Sequence, residues 1–144
     1  MPRSIRFVSV VLLLLGLILA GCGPAAPTAA PATQPPAGGG AALAIQNYLQ
    51  GIVTKSVEKV SALSCKDWET QAIQELDSLQ AVKAELSPDV ACKQSGTDGA
   101  AVLVTCTGQI VITYDNEKQN LDLNLRTYRV VQSGGDWLMC GYQP

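Results

Sequence analysis

The chain has 144 residues, 47% of them hydrophobic, with ten Lys and Arg against twelve Asp and Glu and no histidine. Without histidine there is no Ser–His or Cys–His nucleophilic system, and a formal charge of −2 argues against nucleic-acid binding, which wants a basic stripe. No phosphate loop, dinucleotide fingerprint or run of like charges is present.

The chain opens with Arg3 and Arg6, then an apolar run over 7–19, then Ala20-Gly21-Cys22. A basic start, an apolar stretch and small residues before a cleavable bond predict a signal peptide over 1–21. The apolar run is shorter than the ~20 residues a spanning helix needs. Leu19-Ala20-Gly21-Cys22 resembles the lipobox of bacterial lipoproteins. That resemblance implies a diacylglycerol thioether on the Cys22 sulfur and an acyl chain, such as palmitate, on its new amino group. Two or three acyl chains anchor stably, whereas one alone binds marginally. The implied location is the cell membrane or outer membrane, with the domain on the extracytoplasmic side. Processing removes both early arginines and leaves a formal charge of −4, from eight basic and twelve acidic residues.

Residues 22–40 follow as a tether, with five prolines, many alanines and no charge. Such a segment buries too little apolar surface to offset its ordering entropy, so disorder is expected, extended at ~3.1 Å per residue. Gly38, Gly39 and Gly40 are expected to act as a swivel before a single globular domain over 41–144.

Within that domain, residues 41–60 have helical periodicity. Ile45, Tyr48, Leu49, Ile52, Val53, Val57 and Val60 form one apolar stripe, with Gly51 as a place to bend. A second helix is predicted from Asp67 as N-cap, with Trp68, Ala72, Leu76, Leu79 and Leu86 on one face, until Ser87-Pro88-Asp89 ends it. Strand patterns then cover 90–94, 100–114, 121–131 and 136–142, joined by short turn-like links. Gly108 lets the long second strand bend. Leu121, Leu123 and Leu125 alternate with polar residues as one buried face, with a break expected near 126–128. These elements predict an α+β fold, N-terminal helices packed on one face of a curved four-stranded antiparallel meander.

Ala-Ile-Gln-Asn-Tyr-Leu at 44–49 and Gly-Gly-Asp-Trp-Leu-Met-Cys-Gly-Tyr at 134–142 resemble the cystatin-like or nuclear transport factor two-like superfamily, over about 41–142. The resemblance implies a cavity between helices and sheet. That superfamily includes enzymes, ligand binders and docking domains, so the fold alone does not choose among them.

With Cys22 lipidated, Cys65, Cys92, Cys106 and Cys140 remain, an even number in a compartment that permits disulfides. Metal binding is disfavoured, because no CxxC spacing and no histidine is present. Of the three connectivities we favour Cys92–Cys106 with Cys65–Cys140; the rival is Cys65–Cys92 with Cys106–Cys140. Direct pairing of Cys92 with Cys106 requires an odd-length loop or a bulge, since a two-residue Asp98-Gly99 turn would put them on opposite faces.

Asp67, Glu69, Glu75 and Asp77 lie off the apolar stripe of the second helix and read as a solvated face. Tyr48, Trp68, Tyr114, Tyr128 and Trp137 are the candidate pocket aromatics. Arg126 is the polar companion of Tyr128, expected on the strand face opposite the three leucines. No catalytic residue and no cofactor is expected. The reading is a membrane-tethered, non-catalytic module that docks a protein partner or a second copy. The alternative is a binder of a small apolar or aromatic ligand between helices and sheet.

Overall fold

The computed structural model describes residues 37–143, with side chains from residue 39. The expected signal peptide, the lipidated Cys22 and the tether up to residue 36 lie outside the described residues. The described residues form helices α1 (Ala37–Val53), α2 (Val57–Ala62) and α3 (Glu69–Ser78). They are followed by strands β1 (Lys83–Leu86), β2 (Ala91–Asp98), β3 (Ala101–Thr107), β4 (Gln109–Tyr114), β5 (Glu117–Asp122), β6 (Thr127–Ser133) and β7 (Asp136–Gln143). The fold is α+β.

The apolar stripe predicted for the first helix is the one that is buried. Ile45, Tyr48, Leu49, Ile52, Val53 and Val60 are all in the core. α1 lies against β1 and all four strands of the larger sheet. Val57 leaves the stripe and is half exposed, because the predicted single helix breaks at 54–56. Lys55 adopts a left-handed φ of 57°, and Ser56 caps α2 by accepting from the Lys59 N–H. The Lys55 ammonium then donates to the carbonyls of Gln80 at 3.0 Å and Val82 at 2.8 Å, which ties this corner to the end of α3.

α1 starts at Ala37, so the glycines expected as a swivel are helical. Gly40 packs under Trp137 so closely that a Cβ would stand 2.5 Å from the indole nitrogen. The second helix is shorter than predicted at both ends. Trp68, not Asp67, is its flanking residue, with no side-chain cap. Residues 83–86 form β1 instead of helix, because Lys83, Ala84, Glu85 and Leu86 pair with Thr113, Ile112, Val111 and Ile110. A strand ladder against β4 outweighs the helical spacing of Leu86.

The predicted four-stranded meander is divided among the described residues into two antiparallel sheets, ordered β1-β4-β5 and β2-β3-β6-β7. Each of the two long strands is broken once. The first breaks at Gly108, with φ of 87°, and the second at a 3₁₀ turn over Leu123–Leu125. The breaks lie side by side, since the Leu123 N–H donates to the Gly108 carbonyl at 3.1 Å. The halves beyond them, β4 and β5, form the second sheet with β1. The 3₁₀ turn also corrects the expected leucine face. Leu123 is buried, whereas Leu121 is 44% and Leu125 81% exposed.

Two disulfides join Cys92 to Cys106 and Cys65 to Cys140. Cys92 and Cys106 are direct partners across β2 and β3. The register shift between Gln94 and Gly96 makes this pairing compatible with the Gly99-Ala100 turn. Cys65 lies between α2 and α3, next to a bridge in which the Cys65 N–H donates to the Met139 carbonyl and the Met139 N–H to that of Leu63. The second disulfide therefore fastens the helical layer to β7. No helix of the described residues is long and apolar enough to cross a membrane.

Candidate functional site

Polar side chains from α1, β7 and the segment just before β6 gather around one acceptor, the Glu75 carboxylate of α3. On α3 and its C-cap, Ala72, Leu76 and Leu79 are buried, and Glu75 lies at i+3 from the first and i−4 from the last. Helical geometry thus sets it at the edge of the buried face and leaves it half-buried. Tyr48 of α1 donates its hydroxyl hydrogen to Glu75 Oε2 at 3.2 Å, and Tyr142 of β7 does so at 2.9 Å. Arg126 Nη1 donates to the Tyr142 hydroxyl at 3.1 Å, with its guanidinium carbon 4.9 Å from the centre of the Tyr142 ring. Tyr128 and Trp68 each hold a ring 5.4 Å from that of Tyr142, Trp68 edge-on.

A bulge in β7 aims Tyr142 into this cluster. Tyr128 pairs with Tyr142, but Val130 pairs with Met139, so Cys140 and Gly141 together oppose Arg129. Gly141 has a φ of 118°, a backbone conformation open to glycine. Met139 and Tyr142, three residues apart, therefore both face inward. Strict alternation would have sent Tyr142 outward.

A cavity of about 300 Å³ opens beside these groups. Tyr48, Glu75, Arg126, Tyr128 and Tyr142 supply its polar wall; Ile52, Leu79, Ile110 and the leucines at 121, 123 and 125 supply its apolar wall. Its size is at the lower end of small-molecule sites. Of the predicted pocket residues, Tyr48, Arg126 and Tyr128 line it. Trp68 stands one layer back, behind Tyr142. Tyr114 is 61% exposed at the β4–β5 turn and takes no part. Arg126 shares the cavity with the leucines it is expected to oppose, because the 3₁₀ turn ends the alternation before it. Glu75, whose position predicts a solvated side chain, is instead the centre of the site, and Tyr142 is the member that sequence reasoning misses. A second, more open cavity of about 440 Å³ lies between the start of α1 and the β6–β7 turn, beside Leu43 and Trp137.

Burial pushes the Tyr128 phenol up to about 12, with the Glu75 charge adding to the rise and Arg126 opposing it. Burial raises Tyr48 and Tyr142 as well, and the Glu75 charge is the next cause for both. All three stay protonated at neutral pH. The folded state therefore keeps phenolic protons that the unfolded chain loses near pH 10. Stability should be intact below pH 10 and fall as pH rises through about 12. Far-UV circular dichroism against pH should show unfolding in that window, with phenolate absorbance rising together with loss of structure.

Tyr128 is fully buried, and its hydroxyl has no hydrogen-bond partner among the described residues; the same holds for the Trp68 indole nitrogen. A buried, unpaired hydroxyl costs about 1–3 kcal/mol. Tyr128→Phe should therefore raise the stability of the ligand-free protein by roughly 1 kcal/mol, read as a higher urea midpoint at unchanged slope.

Among the described residues no group of three metal-ligating side chains converges. Compared with known proteins, the chain matches no family model, no curated protein and no solved structure.

Proposed function

We propose that this chain is a lipid-anchored, extracytoplasmic domain that holds a small ligand between its helices and its bent strands without transforming it. The observation that carries the reading is the cavity beside Glu75. It pairs an apolar wall with a few convergent polar groups, the usual make-up of a small-molecule site. Attachment through Cys22 is supported by the Leu-Ala-Gly-Cys sequence after the apolar run. The cystatin-like or nuclear transport factor two-like assignment is supported by the order of helices before bent antiparallel strands, with a cavity between them. A non-catalytic role is supported by the lack of histidine and by the mutual engagement of Tyr48, Glu75 and Tyr142.

This reading reverses the order of the two roles the sequence suggests. A docking module needs a complementary face, whereas a cavity with internal acceptors needs a small occupant. Native mass spectrometry of the full-length protein extracted from its own membrane tests the choice. The expected spectrum carries a non-covalent small-molecule mass that is lost on denaturation. A bare monomer or dimer would overturn ligand binding in favour of partner or self-association.

A further inference from the structure

Building on the ligand-binding reading, we infer that the occupant carries a protonated amine, held at Glu75 Oε1, with an apolar body on the leucine wall. The inference comes from accounting for hydrogen-bond capacity. Glu75 Oε2 already accepts from Tyr48 and Tyr142. Oε1 has no hydrogen bond among the described residues and is not one of the buried unpartnered atoms, and Glu75 lines the cavity. A phenol has one hydrogen to give, and those of Tyr48 and Tyr142 are spent on Glu75. What the wall still offers is the charged acceptor Glu75 Oε1 and, at the rim, the unspent N–H donors of Arg126, since the Tyr48 and Tyr128 hydroxyls are fully buried. An ammonium group, with three donors and no acceptor, complements the Glu75 acceptor; a carboxylate would have Arg126 alone to turn to.

Charge points the same way. The ionic groups lining the cavity are Glu75, Asp122 and Arg126, a net charge of −1. Arg126 is the more exposed of the two nearest the tyrosines, and it already lies over the Tyr142 ring and donates to the Tyr142 hydroxyl. Its attraction for an anion is screened by solvent, whereas half-buried Glu75 repels that anion with less screening.

Hexylamine, hexanol and hexanoate share a chain and differ in the head. Their affinities for the full-length oxidised protein can be compared by chemical-shift titration. The amine should bind roughly tenfold tighter than the alcohol, the gain of a charge-assisted hydrogen bond, with hexanoate weakest. E75Q should bring the amine-to-alcohol ratio close to one. If E75Q does not fold, R126Q provides the second measurement, since loss of the rim cation should raise that ratio. Equal binding of amine and alcohol, or tightest binding of hexanoate, would overturn the head-group assignment and leave the cavity reading intact. Binding of none of the three would overturn both.

Discussion

Replacing Cys65 and Cys140 together by alanine is expected to cost about 4 kcal/mol of unfolding free energy. The two residues are 75 positions apart, and a cross-link over so long a loop removes much of the freedom of the unfolded chain. The 14-residue separation of Cys92 and Cys106 predicts a smaller loss, about 3 kcal/mol, for the corresponding double substitution. Urea unfolding of the three oxidised proteins gives the comparison directly. A greater loss for the short loop would contradict the chain-entropy account. The longer cross-link has a second consequence. It ends at Cys140, the residue before Gly141 in the bulge that turns Tyr142 inward. Its removal should loosen the Tyr142–Glu75 hydrogen bond as well as the fold, seen as altered near-ultraviolet dichroism of the aromatic cluster below the unfolding transition.

Gly108→Ala is the other change expected to be severe. Gly108 has a φ of 87°, and an added Cβ would lie 2.8 Å from Val90 Cγ2 and 2.9 Å from the Val90 α-carbon. The second clash is with backbone, so a rotamer change cannot relieve it. Left-handed strain and overpacking each cost about 1–3 kcal/mol, so a loss of about 2–6 kcal/mol is expected by thermal or urea unfolding. Adding Val90→Ala removes the clash with the side chain and leaves the clash with the backbone, so rescue should be partial. Full rescue would show that the side chain alone sets the limit.

Gly108 also illustrates how much is legible in the sequence. A glycine inside a β-branched run signals a bend, and the bend is there. The sequence does not say that the neighbouring strand breaks at the same level. That depends on Leu123 reaching the Gly108 carbonyl, a hydrogen bond between residues 15 apart. The two breaks together turn one expected meander into two sheets and recruit β1, whose Leu86 has the spacing of a helix.

Legibility of the site divides the same way. Tyr48 is readable from the stripe of α1, and Arg126 and Tyr128 from the expected break before β6. Trp68 belongs to the cluster, though it backs Tyr142 instead of lining the cavity. Glu75 carries a faint signal, since its offsets from Ala72 and Leu79 put it beside the buried face. A carboxylate at such an edge is ordinarily solvated, and only the two phenols from α1 and β7 make it a shared acceptor.

What the sequence by itself determined is local. The apolar stripe of α1, the turn positions, the even set of four cysteines and the α+β order follow from periodicity and residue chemistry, which act over a few positions. Tertiary structure decided which residues meet. A β-strand has a strict two-residue alternation, and one bulge at Cys140-Gly141 reverses the phase of everything after it. Tyr142 therefore faces Glu75, 67 residues away, because a single unpaired residue in β7 turned it inward.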